Sequence, residues 1–144
     1  MRECPTDGSP VNSYGTLVIA RETLRTEIAW FDRQGRRLET VGGIVPSVSR
    51  RWPELSPDDT IVATTETDPV VQTSDIHLID LVGGMDARLT SNPALDSKPR
   101  WSPDGRYIAF DSARDDLPPN LFTAPATEIG REERLLKSPL VQHV

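Results

Sequence analysis

An all-β fold of stacked, four-stranded antiparallel sheets is what this sequence predicts, and three observations predict it. The first is a repeated segment: "WSPDGRYIAF" (Trp101 to Phe110) and "LSPDDTIVAT" (Leu55 to Thr64) align without a gap, 46 residues apart, inside the range of about 20 to 50 residues that marks repeat architectures. The second is that the downstream segments recur as well. "DIHLIDL" (Asp75 to Leu81) and "ARLT" (Ala87 to Thr90) follow the first copy, and "NLFTAP" (Asn120 to Pro125) and "ERLLK" (Glu133 to Lys137) follow the second. The third is a further unit upstream, "EIAWFD" (Glu27 to Asp32) followed by "RRLETV" (Arg36 to Val41), so that Ile28, Ile76 and Leu121 fall 48 and 45 residues apart. Units of this length that are apolar on both faces of their strands are what stacked propeller blades require. The expectation is therefore a partial β-propeller of about two complete four-stranded blades plus part of another. In sequence terms, 1–14 is an irregular N-terminal segment, 15–51 a partial blade, 52–98 and 99–138 complete blades, and 139–144 the start of a further, truncated blade.

Each element follows from local chemistry. "IAWF", "TIVAT", "IHLIDL", "YIAF" and "LFTA" are short runs rich in β-branched and aromatic residues, separated by Pro, Gly, Asp and Ser clusters. "DRQG" (Asp32 to Gly35) and "VGG" (Val82 to Gly84) read as hairpin joints. In "SPDG" (Ser102 to Gly105), Ser opens the turn, Pro presets φ, Asp suits the third position and Gly accepts the left-handed conformation that closes a type I turn with a bulge. Asp59 stands in that last position in the earlier copy, and Asp visits left-handed space at tolerable cost. Along "RYIAF", Tyr107 and Ala109 point opposite to Ile108 and Phe110, so both faces of this strand must be covered. Trp101 and Leu55, just ahead of the turns, read as wedges between neighbouring blades. "TEIGREERLLK" (Thr127 to Lys137) has some helical spacing, but Gly130 interrupts it and its counterparts read as strand ends.

Composition bounds the function. With 36% hydrophobic and 26% charged residues, 13 Pro and 9 Gly, the chain reads as globular and turn-rich. A net charge of −6 argues against nucleic acid, whose phosphates reward a basic stripe. Cys4 is the sole cysteine, which excludes an intrachain disulfide and a thiol cluster for a structural metal. Nowhere are there enough consecutive apolar residues for a signal-peptide core or a membrane span, so no export address and no membrane segment are expected in this chain.

Candidate chemistry is sparse. No "G-x-S-x-G" elbow occurs, and the serines near aspartates sit in turns that explain them; the expectation is a non-enzymatic protein with no catalytic residues, no cofactor and no metal. His77, mid-strand where the neighbouring units have Ala29 and Phe122, reads as a packed or half-exposed strand residue. Asp111, Asp115 and Asp116, with Asp96 and Asp68, are a candidate acidic rim for a cation, but lack calcium-loop spacing and read as solvated loop. Val82 to Gly84 lacks the lysine and helix start of a phosphate loop. Trp30, Trp52 and Trp101 are expected in core packing.

"DIHLIDLVGGMDARLTSNPALDSKPRWSPDG" followed by "RYIAFDSARDD" resembles the WD-like repeat of the TolB-type β-propellers, with turn, strand, "D-hydrophobic" strand, "GG", "RLT" and the next "P-x-W-S-P-D-G" in order. "EIAWFDRQGRRLETVG" with "PELSPDD" is similar to the propellers attached to bacterial receptor-like serine/threonine kinases, although no kinase signature occurs. The resemblance implies a protein or peptide partner met through loops and channel mouth, a periplasmic or extracytoplasmic parent protein, and more blades than this chain holds, so that a piece of a longer protein is expected. The alternative it implies is the regulatory propeller of a prolyl-oligopeptidase-like hydrolase or of a receptor kinase. An uncovered blade face of several hundred Å² forfeits on the order of 10 kcal/mol at about 25 cal/mol/Å², so an open arc is expected to self-associate.

Overall fold

A computed structural model describes residues 16–22, 25–42, 48–114 and 119–135. The segments 1–14 and 139–144, together with Cys4, Asp115, Asp116 and His143, lie outside the described residues. Eleven strands form in the described residues, and no helix. They are β1 (Thr16–Glu22), β2 (Arg25–Phe31), β3 (Arg37–Val41), β4 (Ser49–Leu55), β5 (Ile61–Asp68), β6 (Thr73–Asp80), β7 (Asp86–Arg88), β8 (Asp96–Trp101), β9 (Tyr107–Ser112), β10 (Asn120–Pro125) and β11 (Glu133–Arg134). The segment with helical spacing is a turn followed by β11, with Gly130 at φ +74°.

Three antiparallel groups result: β1-β2-β3, β4-β5-β6-β7 and β8-β9-β10-β11. A parallel pairing of Thr26 with Ser49 joins the first two into one seven-stranded sheet. Ser74 and Leu95 repeat that pairing between the second group and the third. This is the partial β-propeller expected; β4 and β8 each begin three residues before positions 52 and 99 and run across them.

The repeated turn has the same hydrogen bonds in both copies. Ser56 Oγ and Ser102 Oγ each donate to the following Asp58 or Asp104 Oδ1 at 2.6 Å and accept the amide of Ile61 or Tyr107 at 2.9 and 3.0 Å. Gly105 and Asp59 close these turns at φ +69° and +62°, which is why Gly serves in one copy and an Asp is tolerated in the other. Upstream of each turn the ladder skips, between Arg51 and Glu54 and between Ser97 and Arg100. Trp52 and Lys98 adopt φ +56° and +55° there. Each precedes a proline, which has no N–H to offer the ladder, so the bulge falls where a bond was missing anyway.

Two apolar seams hold the groups together. Ile28, Trp30 and Val41 of the first group pack on Val62 and Ile79 of the second, with Leu55 and Leu81 against them. Ala63, Ile76 and Leu89 pack on Ile108, Phe110, Phe122 and Ala124 of the third, with Leu78 and Trp101 alongside. Strand alternation sorts these contacts: on β6, Ile76 and Leu78 face one neighbour while His77 and Ile79 face the other. Leu55 and Trp101 are thus inter-blade wedges, as expected. Burying each such Ile, Val or Phe contributes about 1.5–3 kcal/mol.

Two expectations need correction. Trp52 is 52% exposed rather than packed in the core, because the left-handed bulge takes it out of the alternation that buries Trp30. The second face of β9 is only partly covered among the described residues: Ile108 and Phe110 are fully buried, but Tyr107 is 45% exposed and Ala109 and Asp111 are partly buried.

Candidate functional site

The largest concentration of chemistry lies at the seam between the first and second groups. Strand alternation puts Arg50 on β4, Glu66 at the end of β5, His77 on β6 and Asp86 at the start of β7 side by side across four consecutive strands. Arg50 is almost wholly buried, and a buried guanidinium must be paired. It donates to Glu66 Oε2 at 3.1 Å, to the Gly42 carbonyl at 3.2 Å and to Asp86 Oδ2. Gly42, at φ +68°, leaves room for this: a Cβ would stand 2.8 Å from Arg50 Nη1 and 2.9 Å from Ile79 Cδ1.

His77 sits between the two carboxylates, its Nδ1 2.8 Å from Asp86 Oδ1 and its Nε2 3.8 Å from Glu66 Oε1. Burial pushes the Asp86 carboxyl up, but the hydrogen bond with His77 and the charges of Arg50 and His77 outweigh it and hold the group below its ordinary range. An ionised Asp86 only accepts, so Nδ1 carries the proton and donates. Nε2 then faces Glu66 across a gap wider than a hydrogen bond. One donor atom from each of Glu66, His77 and Asp86 falls within 4.8 Å of the others, a spacing that a metal ion can bridge.

His77 is half-buried, in keeping with its sequence reading, but its carboxylate neighbours come from 9 and 11 residues away in sequence and were not foreseen. The alternation of β6 with β7 and β5 was the available signal.

The second seam carries its own ion cluster. Arg114 binds Asp96 Oδ2 at 2.9 Å and the Ser112 hydroxyl at 2.8 Å, approaches Glu132 at 3.7 Å, and lies 4.4 Å from the ring centre of Phe122. Nearby, Arg88 donates to Asp75 Oδ1 at 2.9 Å. Burial raises the Asp75 carboxyl, with the neighbouring Asp96 charge adding to it, and Arg88 offsets this only in part.

The acidic rim does not assemble from its described members. Asp96 is fully buried against Arg114, Asp111 pairs with Lys98 at 3.1 Å, and Asp68 accepts the amides of Val70 and Val71 in a turn. Val82 to Gly84 is a hairpin turn held by Asp80, which accepts the amides of Val82 and Gly83 at 2.8 and 3.0 Å. Ser56 and Ser102 have their hydroxyls committed to the turns described above.

Blades stacked through apolar seams, with an arginine-centred cluster beside each, define the chain as a stretch of β-propeller. The Tol-Pal system protein TolB of Syntrophus aciditrophicus (strain SB) is 41% identical over 59 residues, 38% of this chain and 13% of that protein. The uncharacterized peptidase YuxL of Bacillus subtilis (strain 168) is 31% identical over 108 residues, 72% of this chain and 16% of its own length. Among solved structures, TolB from Acinetobacter baumannii matches with a TM-score of 0.69 at 24% identity, over 85% of this chain and 29% of that one. Porphyromonas gingivalis dipeptidyl peptidase 4 matches at 0.70 and 12% identity, over 94% of this chain and 19% of that one, a likeness of fold alone. No protein-family model matches the chain. These likenesses support a TolB-like β-propeller, of which the chain spans less than a third of the length of the relatives and structures named here.

Proposed function

We propose that the chain is a non-catalytic interaction or sensing module, part of a longer TolB-like propeller that meets a protein or peptide through its loops. The observation that carries this reading is the β5–β6 hairpin. Asp68 caps it by accepting the amides of Val70 and Val71, and Gln72 closes it at φ +55°. The turn so fixed presents Val70, 85% exposed, and Val71 to solvent. Apolar side chains held outward by an ordered turn lower the ordering cost of binding and suit the centre of a contact. The TolB likeness favours a protein partner and an extracytoplasmic parent protein.

The test is to identify partners by cross-linking from position 70 and then titrate the purified partner by calorimetry. Val70→Asp with Val71→Asp should abolish binding while the thermal midpoint holds; unchanged affinity would sink the reading. A second reading, the regulatory propeller of a peptidase, is favoured by the match to YuxL. An α/β-hydrolase domain in the parent gene, and loss of peptide turnover when this hairpin is altered, would select it; an upstream kinase domain and membrane helix would instead select the receptor-kinase form.

A further inference from the structure

The two seams use the same four positions. Asp96, Ser112, Phe122 and Glu132 stand 46, 46, 45 and 46 residues after Arg50, Glu66, His77 and Asp86, and each set is gathered around one arginine. At the second seam the position of His77 is filled by the Phe122 ring, over which Arg114 stacks. Closing a seam therefore does not require an imidazole at this position. The first seam alone brings three metal-competent side chains together among the described residues.

We propose that Glu66 and His77, with Asp86 holding the His77 ring, bind a divalent transition cation of the Zn2+ class. Nδ1 lies 2.8 Å from Asp86 Oδ1, and Nε2 at the other edge of the ring points toward Glu66 Oε1, 3.8 Å away. A cation that takes the place of a proton on Nε2 would bridge these two atoms. Ligand atoms about 2.0–2.1 Å from a tetrahedral zinc lie about 3.3 Å apart, so only a slight approach is needed. The contact of Asp86 with Nδ1 is the carboxylate–histidine arrangement that fixes the tautomer and raises the basicity of a ligating ring. Arg50 ties down the outer oxygens, Glu66 Oε2 and Asp86 Oδ2, and so holds both carboxylates in place. Its charge opposes a cation, but two carboxylates and one guanidinium leave the site net negative with His77 neutral. Mixed imidazole and carboxylate donors favour Zn2+, Ni2+ or Co2+ over Ca2+ and Mg2+.

The test is equilibrium dialysis of the 144-residue chain against Zn2+, with metal counted by atomic emission and the thermal midpoint followed in parallel. About one Zn2+ per chain is expected, together with a rise in the midpoint. His77→Phe copies the residue of the other seam; the folded variant should lose both responses. Glu66→Gln, which keeps the shape of the side chain, should weaken binding by about tenfold or more and carries the test if His77→Phe does not fold. Cys4 and His143 are common to all three proteins, so binding through them cancels in the comparison. Equal Zn2+ uptake by the wild type and a folded variant, or no uptake by the wild type, would overturn the proposal.

Discussion

The indole N–H of Trp101 donates to the backbone carbonyl of Glu54 at 3.2 Å, across the seam between the second and third groups of strands. The Trp101 amide bonds the Glu54 carboxylate at 3.2 Å as well, and the same carboxylate takes Arg100 at 2.5 Å. One residue of β4 thus receives three donors from β8. Trp101→Ala should lower stability by about 3 kcal/mol, at the low end for a large aromatic because the ring is only half-buried. Trp101→Phe should cost about 1 kcal/mol, the ring retained and one hydrogen bond lost. Urea unfolding of both variants measures the difference.

Arg50 presents the opposite case, a charge whose removal strands its partners. Arg50→Ala removes the guanidinium that pairs both Glu66 and Asp86 and should cost about 3–5 kcal/mol. The double variant with Glu66→Gln should recover part of that loss. A simple sum of the two single effects, read by chemical denaturation, would show that they do not act as one unit.

Asp75 makes stability depend on pH in an unusual direction. Its carboxyl is raised above the ordinary 3.8 by burial, so the native state holds its proton more tightly than the unfolded chain. The contribution is therefore fully present below the unfolded value and is lost as pH rises through the native one. Asp75→Asn, which reproduces the Asn120–Arg134 contact of the following unit at 2.7 Å, should remove this dependence and raise the thermal midpoint at neutral pH. A lower midpoint at pH 7 would contradict the assignment.

The repeated turns act with the opposite sign. Hydrogen bonds from Ser102 and Arg106 depress Asp104 to about 2, and those from Ser56 and Thr60 lower Asp58. Their contribution is present above the unfolded value of 3.8 and is lost as pH falls toward about 2. Ser102→Ala should bring Asp104 back toward its ordinary range, which a carboxylate NMR titration would detect.

The repeat made much of the fold legible because each turn and wedge has a local cause. "SPDG" specifies its turn through its own four residues, with Ser102 bonded to Asp104 and Gly105 in the left-handed region, and Leu55 and Trp101 stand at fixed offsets from the turns. Trp52 was misplaced because its exposure depends on a bulge written in "RWP" and "KPR", which shows only once the register of two strands is known. The site was less legible still. Arg50 and Asp96 occupy one position with opposite charge, and the arginine that answers Asp96 comes from position 114; aligning the units residue by residue conceals that both seams reach the same balance.

The parallel pairings of Thr26 with Ser49 and of Ser74 with Leu95 make the backbone itself continuous from one blade into the next. A blade so tethered should resist pivoting on its neighbour, through the amide ladder as well as through greasy contacts. Such an arc should behave as a stiff spring, able to report an event at one rim to residues several strands away.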